Sequence, residues 1–296
     1  MNARNWMQLA LLGAVWGGSV LFAKIAVAEI PPLVLVFLRV SLACLVLNVV
    51  MRATGHIFPR NISLAASFLF MGLLNNAIPF SLLFWGQTAL SAGLAAILNA
   101  TTPIFTFLFA SVAFHQEEVR LNRIAGVLLG FSGVILMLSA SLGGFDQAPL
   151  WAQFACLGAA VSYALAATFA KRFKCIPPLV SATGQLSGST ILILPLAVIS
   201  LDGWSPAEVS AEAWLSATAL GVGATAFAYL LYFRLLSDAG ATNASLVTLF
   251  VPATAILFGF LLLGQTISAH EAGGLGLLLA GLLVLDGRVL KRIRSR

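Results

Sequence analysis

Separate apolar runs, each about as long as a bilayer crossing, constrain this chain more than any other feature. A hydrocarbon core of ~30 Å takes about 20 apolar helical residues. Ten runs of that kind occupy 6–28, 33–50, 63–87, 94–114, 124–142, 151–170, 179–199, 214–235, 242–263 and 273–289. Between them lie turn residues: Pro31-Pro32, Gly55 to Arg60, Ser91 to Gly93, Gly143-Gly144 to Pro149, Pro177-Pro178, Asp202 to Pro206 and Asp238 to Gly240. No such linker can hold a soluble domain. Hydrophobic residues make up 60% of the 296 and charged residues 9%, with mean hydropathy +1.01. A soluble domain carries roughly 25% charged residues, so the apolar surplus must face lipid. The expected fold is an all-α integral membrane protein with ten transmembrane helices. The first run could also serve as a signal peptide, with Arg4 before it and Ala26-Val27-Ala28 as a small-x-small site. It is read instead as part of the bundle, because Lys24 sits badly in a cleaved segment and the internal repeat requires this helix.

The net charge of +6 and pI of 9.7 do not indicate a nucleic-acid partner, because the basic residues are scattered between apolar runs rather than gathered with aromatics. The bilayer is the expected partner. With the N-terminus in the cytoplasm, all of the 16 Lys and Arg except Lys24 and Arg39 fall on the cytoplasmic side. The expectation is a multi-pass protein of the bacterial inner (plasma) membrane with both termini inside. The basic tail, 288–296, either rests on anionic headgroups or simply anchors the topology, and the plainer reading is preferred. Cys44 and Cys156 fall in apolar runs and are read as small packing residues, and Cys175, beside Lys171, Arg172 and Lys174, as a free thiol.

The chain repeats itself at a spacing near 147. Ile30-Pro31-Pro32-Leu33-Val34 recurs unchanged as Ile176-Pro177-Pro178-Leu179-Val180. Trp16 matches Tyr163, Phe80 matches Phe227, Trp85 matches Tyr232, Pro103 matches Pro252, and Gln116 matches Gln265. The predicted units are 1–147 and 148–296, each with five helices. An odd number starts the second unit on the opposite side of the membrane, so equivalent halves insert inverted. Inverted repeats around a central cavity are the architecture of secondary transporters.

Together with the glycine-punctuated fifth and tenth helices and the prolines of helices four and nine, these features resemble the drug/metabolite transporter superfamily, EamA type. Within it the chain is most similar to the YddG-like bacterial amino-acid exporters. The resemblance covers essentially the whole chain. It implies a basket of helices one to four and six to nine around a cavity, and export of amino acids, including aromatic ones.

No cofactor or metal is expected. The chain lacks GxxxxGK[S/T] and even a Gly-Lys pair, so no P-loop binds ATP. HExxH and GxSxG are absent as well, and no enzyme activity is read. Asp, Glu and His fall at span ends or in loops, whereas proton-coupled antiporters usually carry one mid-span. The expected mechanism is facilitative alternating access. Multidrug or organic-cation efflux and a non-transporting membrane scaffold are the alternatives; the first would want a mid-membrane acid and the second has no need of a repeat.

The pathway is predicted from helix breaks. A proline frees the carbonyl four residues back, and in lipid that group needs a partner. Pro79, Pro103 and Pro252 free the carbonyls of Asn75, Asn99 and Thr248 and are read as hinges. The predicted substrate-binding residues are Trp16, Ser19, Asn75, Asn76, Asn99, Thr102, Tyr163, Tyr229 and Thr248. Arg39 is expected toward the outer mouth. There it either snorkels to headgroups or pairs with Glu29, the preferred reading, or draws in a substrate carboxylate. The small-residue faces of helices five (Gly126, Gly130, Gly133) and ten (Gly276, Ala280) serve internal packing or a homodimer.

Overall fold

The computed structural model describes residues 2–90, 92–116, 118–137, 139, 149–201, 203–263 and 268–286. The Gly143-Gly144 break, Glu117, Asp146, Asp202, Gln265 and the basic tail lie outside these residues, as does the side chain of Lys24. Among the described residues the secondary structure is helical, with no strand.

The helices follow the apolar runs to within a few residues. They are α1 (Ala3–Val27), α2 (Pro32–Ala53) and α3 (Ile62–Gln87). Then come α4 (Ala92–Asn99, resuming as Thr102–Phe107 and Leu108–Ala113) and α5 (Leu121–Met137). The second set begins with α6 (Leu150–Phe173), α7 (Pro178–Ile199) and α8 (Ala211–Ala239). It ends with α9 (Ala241–Ser245, resuming as Val247–Leu263) and α10 (Ala269–Asp286). Six of them, α2, α3, α4, α6, α7 and α8, are long and apolar enough to cross a membrane. Many large apolar side chains point outward, among them Leu45, Phe154, Ile191 and Leu215, as expected where the surrounding solvent is lipid.

The paired prolines do the same work twice. Pro31 precedes α2 with φ −52° and ψ 139°, and Pro177 precedes α7 with φ −53° and ψ 137°. Each sets an extended corner, and the next proline takes the first helical position, where its missing N–H costs nothing. The packing has the same doubled character. Helix α1 packs on α8 and α9, while α6 packs on α3 and α4; α3 packs on α7, while α8 packs on α2. The remaining principal contacts are α2 with α7 and α5 with α10. Exchanging the first five labels for the last five maps this set onto itself.

Glycines set the closest crossings. A Cβ on Gly72 of α3 would lie 2.5 Å from the Gln185 carbonyl oxygen of α7, and one on Gly188 of α7 would lie 2.8 Å from Leu69 Cα. On α5 a Cβ at Gly133 would meet Leu278 N at 2.6 Å, and on α10 one at Gly281 would meet Gly130 N at 2.5 Å. The small-residue face expected on α5 therefore packs against α10 within the chain. Gly276, grouped with it from the sequence, has nothing within 4 Å of its Cβ position.

Three helices carry a wider π-type turn: Leu73–Ala77 in α3, Leu108–Ala113 in α4 and Val222–Phe227 in α8. Such a turn displaces the i→i−4 ladder and leaves a carbonyl needing an outside partner. In α3 the Leu74 carbonyl accepts from Ser162 Oγ of α6 at 2.7 Å. In α8 the Ala224 carbonyl accepts from Trp16 Nε1 of α1 at 2.9 Å.

Candidate functional site

The displaced turn of α3, through Asn75, and the helix just beyond that of α8, through Tyr229 and Tyr232, border a cavity of about 130 Å³ in the middle of the bundle. Its wall comes from α1, α2, α3, α4, α6, α8 and α9. Of the residues expected to bind substrate, Trp16, Ser19, Asn75, Asn99, Thr102, Tyr163, Tyr229 and Thr248 line it together. Several of their polar groups are held by the protein. Asn75 donates from Nδ2 to Gln185 Oε1 at 3.0 Å, and Ser19 Oγ donates to the Trp16 carbonyl at 2.7 Å. Thr102 Oγ1 donates to the Asn99 carbonyl at 2.6 Å, which gives the carbonyl freed by Pro103 its partner. The carbonyl freed by Pro79, that of Asn75, accepts from the Tyr229 hydroxyl at 3.3 Å. Asn99 Oδ1 is different: it is buried and has no hydrogen-bond partner among the described residues.

Asn76 does not line the cavity. One residue along a helix turns a side chain by about 100°, and that carries Asn76 away from the cavity to α7. There it is fully buried and donates to Ser189 Oγ at 2.6 Å, while its Oδ1 accepts from the Tyr229 hydroxyl. It fixes Tyr229, which does reach the cavity.

The prolines lie behind the wall. Pro79 follows the wide turn of α3, and Pro103 opens the second segment of α4 after the interruption at Ala100–Thr101. Pro252 sits inside an unbroken stretch of α9, and the interruption in that helix falls at Leu246 instead. Hydroxyls at the break hold nearby carbonyls: Ser245 Oγ donates to Thr242 O at 2.8 Å and Thr248 Oγ1 to Ser245 O at 2.9 Å. Beyond it α9 is braced on α1, where Thr254 Oγ1 donates to Gly13 O at 2.9 Å.

Arg39 corrects the preferred sequence reading. It neither snorkels nor pairs with Glu29. Glu29 accepts from Ser210 N at 2.6 Å and Ser210 Oγ at 2.8 Å, tying the α1–α2 corner to the start of α8. Those bonds hold its carboxyl below the usual carboxylate range. Arg39 is 8% exposed and turns inward to the cavity wall. Its Nε donates to Thr225 Oγ1 at 2.7 Å, and its guanidinium carbon stands 4.0 Å from the centre of the Phe80 ring. Thr225 donates in turn to Leu220 O, five residues back, at 2.8 Å. The wide turn of α8 therefore leaves the Thr225 lone pairs facing Arg39. Among the described residues that line the cavity there is no Asp, Glu or His.

The sequence reading also missed Tyr232, Phe80 and Phe84 as cavity residues. Tyr232 stands three residues after Tyr229, on the same helix face, and its ring centre is 5.8 Å from that of Trp16. That spacing was a usable signal. Gln185 and Ser189, which anchor the two asparagines, carried none.

A second cavity of about 410 Å³ lies at the end of the bundle that carries Arg120, Arg123, Lys171 and Lys174. Ala167 lines both cavities.

An apolar exterior, helices of membrane-crossing length and a polar, aromatic-lined interior define a multi-pass membrane protein of the transporter class. The chain belongs to the EamA-like transporter family, whose profile matches it twice, over residues 4–139 and 150–285. The transporter YoaV of Bacillus subtilis (strain 168), described as uncharacterized, is 25% identical over 92% of this chain and 91% of its own. A probable amino-acid metabolite efflux pump of Salmonella typhimurium (strain LT2) is 26% identical over 96% of this chain and 95% of its own. A solved crystal structure superposes with a TM-score of 0.78 over 100% of both chains at 19% identity, a likeness of fold.

Proposed function

We propose that the protein is a secondary transporter that exports small amphipathic metabolites, chiefly amino acids and aromatic ones among them, across the bacterial inner membrane. Ten helices cross the bilayer as two inverted units, 1–147 and 148–296, with both termini in the cytoplasm. The doubled family match, the twin proline corners and the exchange symmetry of the helix packing support the repeat. The Lys and Arg asymmetry supports the orientation.

One observation carries the reading. Helices from both units bring Trp16, Asn75, Asn99, Tyr163, Tyr229 and Tyr232 to a single mid-bundle cavity. A site needs ~10–15 Å³ to admit one water, so a cavity of about 130 Å³ suits a solute of amino-acid size. Ala167 lines this cavity and the second one toward the basic end of the bundle. Two neighbouring spaces sharing a wall residue support a route with alternating access. Among the described residues the cavity-lining side chains include no Asp, Glu or His, which supports facilitated rather than proton-coupled movement. The named activity of the Salmonella relative points the same way.

The test is purified protein in liposomes loaded with labelled amino acids and organic cations. Saturable efflux of amino acids, abolished by dissipating their own gradient and indifferent to an imposed pH gradient, is the expected result. Accumulation driven by a pH gradient alone would overturn the facilitative mechanism. Flux of cations but not amino acids would overturn the substrate class.

A further inference from the structure

Arg39 is a buried cation with no anion to match it among the described residues. A guanidinium stays protonated inside a protein, and removing it from water costs several kcal/mol unless its charge is met. Among the described residues its hydrogen-bond acceptor is one neutral hydroxyl, that of Thr225, and its other contact is the face of Phe80. These two contacts orient the group. Phe80 covers one face and Thr225 holds the Nε edge, which leaves the terminal nitrogens free of protein acceptors beside the cavity. An ionisable side chain at such a place in a membrane bundle marks a solute pathway.

We propose, on the reading of this cavity as the transport site, that Arg39 is the receptor for the substrate's carboxylate and sets the transporter's selectivity for carboxylate-bearing solutes. The fork of a guanidinium matches a carboxylate through two parallel hydrogen bonds. A phosphate, with a charge of about −1.5 to −2, would call for more than this single arginine in the wall. The rest of the wall fits the other parts of an aromatic amino acid. Trp16, Phe80, Phe84, Tyr163, Tyr229 and Tyr232 offer aromatic surface to its body. Asn99 Oδ1, a cavity residue's buried acceptor with no donor, takes an N–H of its ammonium. Arginine and asparagine together complement a zwitterion, and the arginine repels a simple organic cation.

The test is equilibrium binding of phenylalanine, phenylalaninamide, phenethylamine and 3-phenylpropanoate to the purified full-length protein, read by tryptophan fluorescence or calorimetry. Wild type should bind phenylalanine at least tenfold more tightly than the amide or the amine, neither of which carries a carboxylate. Arg39→Gln should lose roughly 10–100-fold for phenylalanine and leave the amide unchanged, so the preference collapses. Thr225→Val, which keeps the charge but removes the Nε anchor, should weaken the preference in part. Asn99→Leu should narrow the gap between phenylalanine and 3-phenylpropanoate without altering that between phenylalanine and the amide. The comparison of the four ligands on wild type stands even if Arg39→Gln does not fold. Equal binding of acid and amine by wild type, or an unchanged preference in Arg39→Gln, overturns the role of Arg39 and leaves the transport reading in place. Binding of none of the four overturns both.

Discussion

Replacing Gly72 with alanine tests whether the α3–α7 crossing holds the site in register. The new Cβ would stand 2.5 Å from the Gln185 carbonyl oxygen and 2.6 Å from Ser189 N, where ordinary contact begins at 3.4 Å. Both obstacles are backbone, so the helices must part by about 1 Å, and overpacking of this kind costs about 1–3 kcal/mol. The same movement stretches Asn75 Nδ2 to Gln185 Oε1, now 3.0 Å, and Asn76 Nδ2 to Ser189 Oγ, now 2.6 Å. Interhelical bonds within a membrane bundle contribute about 0.6–1.7 kcal/mol each. Alanine's better helix propensity offsets about 1 kcal/mol, which leaves a net loss of about 1–5 kcal/mol if both bonds are lost. Reversible unfolding in mixed micelles, followed by circular dichroism, measures it. The control is Gly276→Ala on α10, with nothing within 4 Å of its Cβ position and an expected change between zero and about 1 kcal/mol of stabilisation. If the two variants unfold together, the crossing is not tight and the derivation is wrong.

Other substitutions probe the remaining parts. Asn76→Ala and Tyr229→Phe should show a coupling of about 1 kcal/mol in a double-mutant unfolding cycle, because each removes the other's hydrogen-bond partner. Additive effects would deny that bond a role. Ala167→Phe places a bulky ring where both cavities share a wall residue and should cut liposome efflux at least tenfold; unaltered efflux would place the route elsewhere. Glu29 has a depressed carboxyl pKa, so its tie to Ser210 contributes stability above the ordinary value of 4.5 and loses it as pH falls through the lowered value. In thermal unfolding, wild type should therefore exceed Glu29→Gln at neutral pH, and the gap should close only as pH falls below the ordinary carboxylate range. A gap that widens in acid would reverse the sign.

Much of this was legible in the sequence because lipid simplifies the code. Apolar runs bounded by Pro and Gly gave the helices, and the duplicated Ile-Pro-Pro-Leu-Val announced twin corners that the backbone angles reproduce. Asn75 and Asn99 could be found because a polar residue beside a helix break has few reasons to be there, and Trp16 and Tyr163 because they occupy matched positions of the repeat. What escaped notice depends on angle about the helix axis. Asn76 differs from Asn75 by one step and faces another helix. Arg39 lies seven residues beyond the first proline of α2, a depth that suits headgroup and cavity equally, and only the direction of its side chain decides between them. The wide turns escape for a related reason. Their residues keep helical dihedral angles, so no turn-forming residue has to mark them, and one of them fixes Thr225 opposite Arg39. The break in α9 was placed at Pro252 because proline is the visible breaker, whereas the chain interrupts at Leu246 among hydroxyl residues that can hold the local carbonyls themselves.

The two wide turns have a mechanical consequence. Leu74 of α3 takes its donor from α6, and Ala224 of α8 takes its donor from α1. A carbonyl stripped of its partner away from water costs on the order of several kcal/mol. These two bonds therefore act as pins joining the front five helices to the back five near the middle of their length. Sliding would shear both pins, whereas tilting about them shears neither. On the proposed alternating-access reading, the arms on either side of this fulcrum open in turn while both pins hold.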